Sequence, residues 1–315
     1  MPRSDFQMMH SFGSEGAGDG QLQSPIGVAV DGETNVLVTD SDNHRVCVFS
    51  AEGAFVRSFG SEGVGDGQLM YPVDVAVDAE GNVLVADSGN CRVCVFSASG
   101  AFVRSFGSQG HGDGQLWAPT GVVVDGEGTV FVADRGNNRV CVFSAEGAFV
   151  RSFGSRGGGD GQLHSPWGVA VDGAGNVLVP DSRNSRVCVF KKDGTFLRSF
   201  GSRGDGDGQL HRPWGVAVDG EGNVLVADSC NCRVWVFSAE GAFVRSFGSE
   251  GTGDGKLMYP SGVAVDGEGN VLVADTENHR VCVWGTPAPR VDGRLWAPRG
   301  GAARRHYGEH GPSSL

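Results

Sequence analysis

The 315-residue chain predicts an all-β fold, a six-bladed β-propeller of four-stranded antiparallel blades closed by an N-terminal outer strand. Three observations carry this reading. Pro25, Pro72, Pro119, Pro166, Pro213 and Pro260 stand 47 residues apart without a slip. A fixed period of that length marks stacked or ring-shaped repeats. Each period holds four short runs rich in Val, Ile, Phe and Cys, separated by Gly, Asp, Asn and Ser, as strands and tight turns require. The sixth copy stops at Trp284 without its fourth run, and "MMHSFG" near the N-terminus aligns one period ahead of "FVRSFG". The N-terminal segment therefore completes the last blade.

In the first copy the strands fall at residues 27–31, 35–40, 45–49 and 55–60. "DGETN" joins the first two and "SAEG" the last two, both of hairpin length. "GVAVD" is apolar at nearly every position, as a strand buried on both faces should be. The fourth run carries Arg57, a charge suited to an outer edge that must resist further pairing. Apolar inside and charged outside, this is a propeller blade. The propeller spans residues 5–284. Residues 285–315 are rich in Pro, Gly and Arg, and disorder is the default for such a tail. Its fragment "VDGRLWAP" echoes "GDGQLWAP"; it is either the decayed start of a seventh copy or a segment packed over the ring.

The formal net charge is -12, which disfavours broad binding to nucleic-acid phosphates while leaving a local basic patch open. "MPRSDFQMMHSFG" lacks the apolar core of a signal peptide. No run of 18 apolar residues exists, so no membrane helix is expected. Cys47, Cys94, Cys141, Cys188 and Cys282 share one repeat position, with Trp235 in the remaining copy. A packed apolar thiol, replaceable by Trp with no change of partner, fits better than a disulfide. A reducing, cytoplasmic setting follows.

The pattern P-x-G-V-A-V-D-x-x-G-N-V-L-V-A-D-x-x-N-x-R-V-x-V-F resembles the NHL repeat and recurs six times. It includes Asp40, Asn43 and Arg45 and their five sets of equivalents. The resemblance implies a six-bladed propeller of the kind found in tripartite-motif ubiquitin ligases, where it binds protein or RNA. Related propellers include an amidating lyase and sensor domains of bacterial kinases. No paired-cysteine zinc pattern of a RING or B-box precedes the repeats, so ligase activity would need a partner that supplies a RING.

Several motifs invite chemistry and are better read as architecture. The Asp–Asn–Arg set occurs in every copy; the Asp ending strand two can pair with the Arg opening strand three. "GSEGVGDGQ" is Gly-rich, but no helix follows it to bind phosphate. "DGEG" lacks the further ligands of a calcium loop. Cys91 and Cys94 lie across the ring from Cys230 and Cys232, too far for one zinc site. His44 and His279 share one loop position, and His164 and His211 another, and surface histidines are expected at both. No cofactor and no metal is expected.

The copies differ on one face. Around the prolines they read "QSPI", "MYPV", "WAPT", "HSPW", "HRPW" and "MYPS"; between strands two and three, "SDNH", "SGNC", "RGNN", "SRNS", "SCNC" and "TENH". The turns of the other face barely change, apart from "KKDG". Variation concentrated on one face suits a recognition surface on a repeated scaffold. Blades three to five carry Trp117, Trp167, Trp214, Arg135, Arg156, Arg183, Arg203, Arg212, His111, His164 and His211. Blades six, one and two carry Glu250, Glu277, Glu15, Asp42 and Glu62 in comparable loops. Trp and Arg often carry interface energy, on the order of 2 kcal/mol each at a hot spot. The expectation is a non-enzymatic, monomeric scaffold whose Trp/Arg sector binds an acidic or aromatic-bearing protein or peptide, as a module that recruits substrates for ubiquitination. Two alternatives stand beside it: single-stranded RNA stacked on the tryptophans, and a metal-dependent lyase or hydrolase at the channel mouth.

Overall fold

The computed structural model describes residues 6–285 and the backbone of two short strands, Arg290–Val291 and Arg294–Leu295, which pair antiparallel. The expectation for the tail otherwise lies outside the described residues. Six four-stranded antiparallel sheets follow one another around a ring. In blade 1 the strands are Pro25–Val30, Val36–Asp40, Arg45–Phe49 and Phe55–Phe59. Blade 6 borrows its outer strand: Gln7–Phe12 pairs with Arg280–Gly285, Gln7 opposite Gly285 and Phe12 opposite Val281. The expected closure is therefore met. Among the described residues no helix is long and apolar enough to cross a membrane.

The second strand, not the innermost, is buried throughout, as in Val36–Asp40 and Val83–Asp87. The innermost strands line a central channel of about 290 Å³. Val30, Val77, Val124, Val171, Val218 and Val265 are only half-buried there. This corrects the expectation of a first strand covered on both faces: its outer face packs in the blade and its edge meets the channel. Glycine lets neighbouring inner strands approach. A Cβ at Gly215 would lie 2.2 Å from the Ser261 carbonyl oxygen, and one at Gly262 would lie 2.4 Å from that of Ile26.

Each hydrophobic cluster spans two neighbouring blades. One joins Leu84 and Val95 of blade 2 to Val122 and Val132 of blade 3; another joins Val38 of blade 1 to Val281 and Val283 of blade 6. Phenylalanines staple the seams. Phe59 meets Phe96 at 4.8 Å between ring centroids, Phe106 meets Phe143 at 4.9 Å, and Phe12 meets Phe49 at 4.8 Å across the closure. Such tilted pairs add about 0.5–1.5 kcal/mol beyond burial. The outer-strand arginines do more than blunt an edge: Arg57, Arg104, Arg151 and Arg198 each donate to a hairpin carbonyl of the next blade, on Ala98, Ala145, Lys192 and Ala239.

The Asp–Asn–Arg set sews the Gly-rich crossover to its blade. Asp40 accepts Arg45 Nε at 2.7 Å and the Gln23 backbone N–H at 2.6 Å, and Asn43 donates both to it and to the Gly16 carbonyl. Arg45 also donates to the carbonyls of Gly18 and Gln21. The same ion pair forms in blades 2, 3, 4 and 6. Breaking one would leave a fully buried carboxylate unpaired, at about 3–5 kcal/mol. The repeat cysteine lies beside the same oxygen, 3.6–3.8 Å away in five blades. Burial first, then the aspartate charge, pushes these thiols up to about 12.

Candidate functional site

On the variable face, the two loops of each blade are bonded together. The Gly136 N–H donates to the Trp117 carbonyl at 2.8 Å, Arg183 to His164 at 3.1 Å and Cys230 to His211 at 3.2 Å. The N–H groups of Trp117, His164 and His211 in turn donate to Asp134, Asp181 and Asp228. The residue two before each proline thus has both backbone groups held by repeat positions, and its side chain is free to differ.

A lateral bond links each of three blades to the next. His44 Nδ1 accepts the Tyr71 N–H at 3.1 Å, Asn138 Oδ1 that of Ser165 at 2.9 Å, and His279 Nδ1 that of Ser24 at 3.2 Å. The expectation of surface histidines fails here. His44 is buried, and both it and His279 stand at left-handed turn positions, at φ 55° and 53°, as interblade acceptors.

Between blades 3 and 4 these loops enclose a pocket of about 280 Å³ whose lining includes Trp117, Arg135, Arg156, His164 and Arg183. Arg135 occupies the position of Ser41, Ser88, Ser182, Ser229 and Thr276 in the other copies. Its guanidinium lies over the Trp167 ring, 4.8 Å from the centroid. Its Nε is buried with no hydrogen-bond partner. Burial, and then the nearby charge of Arg183, lowers its pKa below the ordinary arginine value. Trp167 stacks on Trp214 at 4.1 Å with planes 7° apart. Trp117, 41% exposed, stacks on His111 at 5.1 Å, and His111 Nδ1 meets Asn137 Oδ1 at 2.6 Å.

Pro180 accounts for the placement of Trp167. It stands in the second strand of blade 4 where four copies have Ala and one has Thr. Lacking an N–H, it cannot complete the ladder, and the regular inner strand shortens to Ala170–Val171. Trp167 donates to the Pro180 carbonyl at 3.1 Å, and Gly168 donates to Trp214 of the next blade at 3.0 Å. The backbone leans towards blade 5, where the indoles meet.

Five of the ten expected partner-binding residues therefore share the pocket, and Trp167 and Trp214 extend it through the stack. His211, Arg203 and Arg212 lie one crossover further on, outside the pocket, with both arginines exposed. The acidic loop residues Glu15, Asp42, Glu62, Glu250 and Glu277 are all exposed on the other blades.

Besides Pro180, two residues escaped the sequence reading. Asp74 replaces the inner-strand glycine in blade 2 and is the one ionisable residue lining the channel among the described residues. It accepts the Val122 N–H of blade 3 at 3.0 Å, and burial pushes its pKa up to about 7. The second is Arg233: Trp235 takes the repeat cysteine's place on the aspartate, its indole donating to Asp228 at 2.7 Å, so the expectation that Trp replaces Cys with no new partner holds, while Arg233 lies over the Trp235 ring. Both signals were visible as single departures from a repeat position. Among the described residues no group of three or more His, Cys, Asp or Glu side chains is arranged to hold a metal.

This chain is 53% identical over 45 residues to the E3 ubiquitin-protein ligase TRIM71 of Bos taurus, a match covering 14% of this chain and 5% of that protein. The curated relatives are thus matched over about a twentieth of their length. Among solved structures, a Bacteroides thetaiotaomicron protein of unknown function aligns with TM-score 0.70 at 20% identity, covering 89% of this chain and 76% of its own. Virginiamycin B lyase from Staphylococcus aureus aligns at 0.63 and 12% identity, covering 89% and 99%. These two share the fold. The NHL repeat itself matches six times, at residues 22–49, 69–96, 116–143, 163–190, 210–237 and 257–284, and the chain belongs to the NHL-repeat family.

Proposed function

We propose that this propeller is a non-enzymatic scaffold that binds an acidic, aromatic-bearing segment of a protein partner through the loops of blades 3 to 5. One observation carries the reading: Arg135 and Arg183 face a pocket with no carboxylate in its lining, and Arg135 Nε is buried without a partner. A half-buried cation with an unbonded, buried Nε lacks the anionic partner that would offset its desolvation, and an incoming anion would supply it. The aromatic stack beside it supplies the rigid apolar area that interface hot spots use. In the cytoplasm, as a monomer, such a module would bring its partner to a ubiquitin ligase, the setting that TRIM71 suggests.

RNA remains a weaker reading. Trp167 already has Arg135 of blade 3 and Trp214 of blade 5 as ring neighbours, so a base would have to displace one of them. The lyase or hydrolase reading rests on fold likeness alone.

Selection of random peptides on the immobilised protein tests the proposal. Enriched peptides should carry Asp or Glu near an aromatic residue, and enrichment should vanish with Arg135→Ser plus Trp117→Ala. The same variant must keep the parent's circular dichroism spectrum. Unchanged enrichment on the variant would sink the proposal.

A further inference from the structure

We infer that the pocket between blades 3 and 4 takes a phosphate monoester, carried by the partner as phosphoserine or phosphothreonine; this rests on the protein-binding reading above. Three arginines converge on a space of about 280 Å³ and no acidic side chain lines it. Arg183 already disfavours the charge on Arg135. A carboxylate brings one negative charge, too little for three guanidinium groups. A phosphate monoester brings about 1.5–2 negative charges near neutral pH and three strong acceptor oxygens. Those oxygens can engage more than one guanidinium at once, in the short charge-assisted bonds that arginine forms best.

The walls favour the same ligand. Trp117 closes one side and the loop backbone is pinned at both ends, so the site is held open in the absence of ligand. A pre-organised pocket loses little on binding. A polynucleotide would have to run its further phosphates past the exposed carboxylates Asp113 and Asp160 of the adjoining crossovers. One isolated phosphate on a peptide avoids them.

The experiment compares three peptide libraries, identical except for a central phosphoserine, Glu or Ser, by fluorescence anisotropy with the intact protein. The phosphoserine library should bind at least about tenfold more tightly than the Glu library. Its advantage should shrink as pH falls from 7 to 5, as the phosphate with its second pKa near 6 gains a proton. Arg135→Ser, which installs the residue found in four other copies, should abolish the preference while thermal unfolding stays that of a folded propeller. Arg183→Gly, the residue of blades 2 and 3 at that position, gives a second variant with the same expectation. Equal binding of the phosphoserine and Glu libraries overturns the phosphate assignment and leaves the acidic-peptide reading intact. Failure of both libraries refutes both readings. Displacement of the phosphopeptide by a single-stranded oligonucleotide better than by free phosphoserine would assign the pocket to RNA and also overturn the inference.

Discussion

Trp235 donates its indole N–H to the carboxylate of Asp228 at 2.7 Å, while Arg233, the arginine that should hold that oxygen, lies over the Trp235 ring at 5.2 Å. In the other five blades the equivalent arginine makes the ion pair directly. Burial raises the Asp228 pKa to about 6, against the pull of its hydrogen bonds. Trp235→Phe keeps an aromatic ring, loses part of the apolar volume and removes the donor. At pH 7 it should cost about 1–3 kcal/mol, the penalty of a buried acceptor left short. At pH 5 the carboxyl is protonated in both proteins and the difference should narrow. Thermal melts at the two pH values check this; an equal loss at both would refute it.

Asp74 sets a second pH dependence. Its folded pKa of about 7 lies above the unfolded value near 4, so the folded state binds the extra proton. The resulting stability is fully present below about pH 4 and is lost as pH rises through 7. The slope cannot exceed about 1.4 kcal/mol per pH unit. Asp74→Asn should flatten this part of the profile, as read by denaturant unfolding between pH 4 and 8. A parent protein that gains stability across that window, with Asp74→Asn unchanged from it, would contradict the assignment.

The eight thiols should separate sharply. Cys230 is the one cysteine not buried, and the five repeat cysteines have thiols held near 12. Thiolate is the reactive form. Brief treatment of native protein with a maleimide should modify Cys230 first, with Cys47, Cys94, Cys141, Cys188 and Cys282 reacting only after unfolding. Peptide mapping by mass spectrometry gives the order, and early labelling of any repeat cysteine would be incompatible with the fold.

Phe12 should matter as much as an internal phenylalanine, although it stands near a chain end. It is as buried as Phe106, its equivalent two blades further round, and makes the same ring contact. Phe12→Ala and Phe106→Ala should each cost about 3–5 kcal/mol. A cost below about 1 kcal/mol for Phe12→Ala in a denaturant titration would mean that the seam is not held in solution.

The ring, the strand order and the closing segment were legible because each is written six times: a repeated Asp, Asn and Arg can only be architecture, and the structure puts them there. What was hidden lay in single departures. Pro180 and Asp74 occur once each, so a search for the common pattern averages them away. The channel was misjudged for a different reason. An inner strand facing a narrow, valine-lined channel has the same composition as one buried on both faces, because valine suits either. The convergence of Arg135, Arg156 and Arg183 also depends on loop curvature between blades, which no spacing along the chain encodes.

The seam between Gln7–Phe12 and Arg280–Gly285 joins the ring's N-terminal strand to the last strand of its sixth blade. At synthesis rates of roughly 5–20 residues per second, the first strand waits on the order of tens of seconds for its partner. Throughout that wait the nascent chain displays other third strands of nearly the same sequence. The waiting strand reads "QMMHSF" where the internal outer strands read "FVRSF" or "FLRSF", and it lacks their arginine. It cannot make the tie to the next blade's hairpin that Arg57 makes. Should it settle on an internal blade, the newly made native strand can displace it. The missing tie, in that light, leaves the closing strand displaceable until the sixth blade exists, and Phe12 holds it once it is seated.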